Sequence, residues 1–116
     1  MGHMRHHAIL VTSFDRMRLE WAAAKAVEMG CTVIGPSDIK INNISTFLVC
    51  PDGSKEGWSE SNVGDRQRKD FIAYLNSQRH SDGSNNLEWV EVAYGSDDRE
   101  AVVENHAWTK KNGSPP

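Results

Sequence analysis

An apolar run followed at once by an alanine-rich amphipathic segment constrains this chain more than any other feature. "HHAILVTSF" (6–14) is rich in β-formers, and its centre, "AILV", is apolar at every position. A strand apolar on both faces belongs in the interior of a sheet. "DRMRLEWAAAKAVEMG" (15–30) then reads as a helix, with Asp15 as its N-cap and Gly30 as its stop. At about 100° per residue, Leu19, Ala22, Ala23, Ala26 and Met29 share one face, with Val27 at its edge. Small alanines on that stripe let the helix lie close on a sheet. Trp21 falls outside the stripe. Either a second helix covers it or it is a contact residue, because tryptophan is seldom left bare.

The rest of the chain supplies more strands and one more helix. "CTVI" and "STFLVC" are β-like, separated by the breaker "GPSD" and the turn signal "NN". "PDG" follows as a type I turn motif. A second helix is expected to begin near Gly64 or Asp65, with Phe71, Ile72 and Leu75 as its apolar stripe and Gly64, Arg68 and Gln78 extending that face. An arginine midway along such a stripe either meets a carboxylate or ligand or packs its stem and sends its head to water. "LEWVEVAYG" (87–95) alternates, with Val90, Val92 and Tyr94 on one side and Trp89, Glu91 and Ala93 on the other. "AVVENHAW" (101–108) is either a last strand pairing back as a hairpin or a short helix, and the strand is the reading favoured here.

The order β-α-β-β-α-β-β predicts an α+β two-layer sandwich, a ferredoxin-like β-α-β-β-α-β core with an extra C-terminal strand. Residues 1–4 read as a cloning remnant and chain start, 5–108 as a single domain, and 109–116 as a disordered tail.

Composition narrows the function classes. The chain has 116 residues and a formal net charge of −3, with a pI near 5.9. Phosphate binding needs a basic surface, so this balance argues against nucleic acid as a partner. Cys31 and Cys50 have no C-x-x-C spacing and read as reduced core thiols. No apolar run approaches the ~18 residues of a membrane span, and no signal peptide is evident, so a cytoplasmic, membrane-free setting is expected. Neither phosphate-cradling glycine motif nor a nucleophile elbow occurs. His6 and His7 are adjacent on a strand, so they point to opposite faces and cannot chelate one ion together. A site joining histidines from separate elements with Asp97 or Asp98 is the only metal arrangement in view, and the sequence gives it little support. No catalytic residue, cofactor or metal is assigned.

The most distinctive run is "PDGSKEGWSESNVGDRQR" (51–68). "SKEGW" is expected to run back as a short strand and to bury Trp58. The functional alternative is a recognition loop displaying Lys55, Glu56, Trp58 and Glu60. "FLVCPDGSKEGW", "GDRQRKDFIAYL", "WVEVAYG" and the opening "HHAILVTSF" resemble small proteins of tailed bacteriophages and prophages, over residues 5 to about 105. The resemblance implies a phage accessory protein in bacterial cytoplasm. It implies no chemistry and carries no catalytic residues across.

Trp21, Trp58, Trp89 and Trp108 all sit beside polar residues and off the core stripes. A two-layer fold leaves one sheet face uncovered, and Trp89 with Trp108 is expected there. Large exposed rings point to self-association or a protein partner. The expectation is therefore a non-enzymatic interaction protein, a homodimer or a binder of a host or phage protein, through Trp21, Trp58, Trp89, Trp108, Lys55 and Glu56. The alternative is a nucleic-acid or nucleotide-binding module using Arg66, Arg68 and Lys69.

Overall fold

The computed structural model describes residues 3–95 and 100–108. Along the chain come β1 (His3–Met4), β2 (His6–Ser13), α1 (Arg16–Glu28), β3 (Val33–Ile34) and β4 (Ser45–Val49). They are followed by β5 (Lys55–Glu56), α2 (Ser59–Ser77), β6 (Glu88–Tyr94) and β7 (Ala101–His106). The "AILV" run takes the interior position expected of it. β2 pairs antiparallel with β4 on one edge and β6 on the other, in a five-stranded antiparallel sheet ordered β3-β4-β2-β6-β7. The architecture is α+β. Residues 3 and 4, set aside with the chain start, pair as β1 with β5 in a separate two-stranded ribbon.

Both helices cover the same sheet face. Leu19, Ala22 and Ala26 of α1 and Phe71 and Leu75 of α2 join one core with Ile9, Val11, Phe47, Val49 and Trp89. The cap read at Asp15 is present, its Oδ1 accepting from the Arg18 N–H at 3.1 Å. Asn42 and Asn43 turn the chain with φ of 57° and 60°, a region asparagine tolerates. Residues 96–99, with Asp97 and Asp98, and the tail at 109–116 lie outside the described residues.

Several expectations are corrected. Trp89 is only 2% exposed and belongs to the helix-covered core. It lies opposite Val11 in register, so Val90, Val92 and Tyr94 take the open face instead. Alternation in "WVEVAY" defines two faces without saying which one is covered. Trp21 (58% exposed) and Trp58 (45%) are not covered by other elements. α2 begins at Ser59, a turn and a half before the expected start. Gly64 lies inside α2, where glycine costs roughly 1 kcal/mol relative to alanine, and Asp52 packs closely against it. A side chain at this position would run into the Asp52 carboxylate. The close approach is therefore to the "PDG" turn and not to the sheet. Cys31 and Cys50 are free thiols, but half-buried rather than fully enclosed.

α1 offers a direct comparison between its two sides. Leu19→Ala should leave a cavity and cost about 2–5 kcal/mol, whereas Trp21→Ala should cost well under ~1 kcal/mol. Urea denaturation of both variants checks this; equal losses would mean that Trp21 is packed.

Candidate functional site

Two surfaces emerge from the period-2 alternation of β2. On its helix-facing side, the row Val11, Ile9, His7 runs toward the end of the sheet, where a polar pocket of about 440 Å³ opens. Glu91 faces the same side from β6, opposite Ile9. β7 contributes through an irregularity. Glu91 pairs with Asn105 and Val92 with Val103, leaving Glu104 as an extra residue. This bulge lets Glu104 and Asn105 both reach the pocket side. α2 lines the opposite wall with Asp65, Arg68, Lys69 and Ile72, spaced i, i+3, i+4, i+7 along one helical face.

The polar groups are closely interlocked. His7 Nε2 lies 2.8 Å from Glu56 Oε1 and His7 Nδ1 lies 3.0 Å from Glu104 Oε1. Glu56 Oε2 in turn accepts from Ser61 Oγ at 3.2 Å. Asn105 Nδ2 donates to Glu91 Oε1 at 2.7 Å. Arg68 is 7% exposed and Glu91 6%; charges so deeply buried must be paired. Arg68 Nη2 bonds Asp65, and its Nε lies 3.4 Å from Glu91 Oε2. That second approach is an ion pair without hydrogen-bond geometry, so the Nε–H has no acceptor. The hydrogen bond from His7 holds the Glu56 carboxyl below its ordinary value of 4.5, against a smaller opposing effect of burial. At Asp52 burial pushes upward, but bonds from Ser54 and the charges of Arg68 and His7 together leave it lowered. One imidazole nitrogen and two carboxylate oxygens, from His7, Glu91 and Glu104, lie within 4.8 Å of one another.

The quoted 51–68 run now has a structural role. Within "SKEGW" only Lys55–Glu56 forms β5, and its Glu56 holds His7 from behind. Of the other residues expected to act in this loop, Lys55 stands 5.9 Å over the exposed Trp58 ring, outside the pocket. The basic trio is divided. Arg68 is buried against Asp65 and Glu91, while Arg66 and Lys69 share a surface groove with Asp65 and Asp70. Mixed charge of this kind is a poor phosphate surface. His7, Glu91, Glu104 and Asn105 were not singled out by sequence as a site. The available signal was a lone glutamate on the same strand parity as Trp89 and Ala93.

The second surface is the sheet face without helices. Ile34, Leu48, Leu10, Val90 and His106 form one cross-strand row by register. Ala8, Val92 and Val103 lie beside it, and the His6 ring stands 5.2 Å from Tyr94. Thr12 and Thr46 satisfy each other at 2.7 Å. By strand parity, Glu88 at one end is the only Asp, Glu, Lys or Arg that these strands place on this face, with His6 and His106 at its margin. Trp108 lies at its margin, its ring 6.2 Å from His106, so it is the one tryptophan near the surface where it was expected.

No protein-family model matches the chain, and no curated protein or solved structure matches it.

The Glu56 shift has a definite sign. Its folded-state pKa lies below the ordinary value, so its stabilisation is complete above that value and is lost as pH falls through the lower one. Glu56→Gln should therefore flatten the loss of stability between about pH 6 and pH 3. Denaturant midpoints measured across that window check it; parallel curves for the two proteins would contradict the assignment.

Proposed function

We propose that the chain acts by protein–protein contact, as a small phage-type accessory protein, and that a second copy of itself occupies the open sheet face. One observation carries this reading: the row Ile34, Leu48, Leu10 and Val90 crosses the sheet on a face that neither helix covers. Ile34 is 63% exposed and Leu10, on the central strand, 40%. Contiguous exposed apolar surface of this kind marks an interaction site.

A second copy suits the face in charge and in size. The strands offer no like charges at its centre, so a two-fold pairing brings leucine and valine onto themselves without repulsion. With strands about 4.8 Å apart and rising about 3.3 Å per residue, the face measures about 450 Å² in projection. Pairing two would cover about 900 Å² of projected face, close to the ~1,000 Å² at which specific interfaces begin.

The strand order supports a finer topological reading. Omitting the short ribbon, the first four strands of the sheet lie in the order second, third, first, fourth. This is the arrangement of a ferredoxin-like core, with β7 added beside the fourth. The setting we propose is a reducing cytoplasm, which suits two free thiols. No helix among the described residues is long and apolar enough to cross a membrane.

Light scattering coupled to size exclusion should give the mass of a dimer at micromolar concentration. Leu10→Glu should give a folded monomer by circular dichroism, and Trp21→Ala should remain dimeric. A monomeric unsubstituted chain, or a dimer indifferent to Leu10→Glu, would overturn the proposal.

A further inference from the structure

We propose that the polar pocket binds a divalent transition-metal ion, with His7 Nδ1, Glu91 and Glu104 as its protein ligands. The proposal is independent of the open sheet face. It begins from the convergence of one nitrogen and two carboxylate oxygens within 4.8 Å. Ions such as Zn²⁺ hold these donors at about 2.0–2.2 Å, so small side-chain rotations would bring all three onto one centre. The three residues come from three neighbouring strands, and the bulge beside Val92 places the third among them.

The surroundings of the ligands carry the argument further than the cluster itself. A histidine that binds metal through one nitrogen ordinarily donates the other N–H to a carboxylate, which fixes the tautomer. Glu56, outside the cluster, holds His7 Nε2 at 2.8 Å in that way. Its second oxygen is anchored by Ser61. With Nε2–H committed to Glu56, the Nδ1 lone pair is directed into the pocket. Keeping bonds to Glu56 and Glu104 together requires a proton on each ring nitrogen, since both partners only accept. A metal ion would replace the Nδ1 proton and accept from both groups at once. Glu91 is prepared similarly: Asn105 orients Oε1 at 2.7 Å and leaves Oε2 facing Arg68.

A separate observation concerns Arg68. It is more than nine-tenths buried, and its Nε–H has no hydrogen-bond acceptor. Its Nη2 is engaged by Asp65, and its Nε lies 3.4 Å from Glu91 Oε2, so an ion would share Glu91 with it. A water or small anion coordinated to the ion would supply the missing acceptor, and the pocket has the volume for it. Lys69 lines the same space, adding positive charge toward an anion. One imidazole and two carboxylates favour Mn²⁺, Co²⁺ or Zn²⁺ over Ca²⁺, which prefers all-oxygen sites, and over Cu⁺, which prefers sulfur.

The test is calorimetric titration of the chelator-treated full chain with MnCl₂, CoCl₂ and ZnCl₂, with the visible spectrum of Co²⁺ as a second readout. One equivalent should bind at micromolar concentration or below. Glu104→Gln, at a partly exposed position, should weaken binding at least about 10-fold with an unchanged circular dichroism spectrum. Glu56→Gln, which touches no ion, should weaken it about 10-fold or more through the orientation of His7. Leu10→Glu should leave it intact. No saturable binding at millimolar metal would overturn the proposal. So would binding that survives both Glu104→Gln and Glu91→Gln, because it would belong to other groups such as His6.

Discussion

Both edges of β2 are hydrogen-bonded, so its side chains can be settled only by whatever covers the two faces of the sheet. Everything else is arranged around that constraint. One face receives both helices, and Ile9 and Val11 disappear beneath Leu19, Ala22, Phe71 and Leu75. The alanines of α1 have no long side chain to hold the helix away. The other face receives nothing from the described residues, and the same strand displays Leu10 there. A strand that is apolar on both sides thus creates two different problems. The fold solves one by helix packing, and the proposed association of two copies would answer the other.

The helix-covered face also changes character along its length. Beyond Ile9 the apolar row gives way to His7 and Glu91, and α2 answers with Arg68 in place of another leucine or phenylalanine. Arg68 and Glu91 are costly to desolvate, and an Arg–Glu pair of this burial adds little net stability over a well-packed apolar pair. Its presence, beside an Nε–H without an acceptor, is better explained by what the pocket has to hold than by the needs of the core. The 51–68 run serves the same end. β5 is pinned to β1 at His3 and Met4, which fixes Glu56 behind His7. Gly64 lets α2 start early enough for Ser61 to reach Glu56 and for Asp65 to reach Arg68.

The elements with strong local signals were legible in the sequence: β2 from its uninterrupted apolar centre and α1 from its stripe and cap, whereas "AVVENH", which does not alternate, left strand and helix both open for β7. The site was harder to see. Which side of β6 is buried depends on its register with β2, a long-range fact that "WVEVAY" alone does not contain. The result placed Trp89 on the wrong face and hid Glu91. Glu104 reaches the pocket because of a bulge, and nothing in "AVVENH" marks one. Arg68 was legible as a candidate for an acidic partner. The partners themselves were out of reach, because Asp65 sat in what read as the helix start and Glu91 on the face assigned to solvent. The start of α2 was placed too late because the polar run before Gly64 carries no apolar stripe and read as the connection into the helix.

The two adjacent histidines summarise how one strand keeps two functions apart. His6 packs on Tyr94 at the margin of the open face, and His7 binds carboxylates on the helix side. Their side chains are separated by the thickness of the sheet, so charge brought to the pocket meets the open face only through backbone and apolar side chains. The bulge in β7 is the exception. Val103 lies on the open face and Glu104 in the pocket, and the extra residue joins them by a single peptide. Drawing Glu104 onto an ion would tension the same bulge that presents Val103 on the open face.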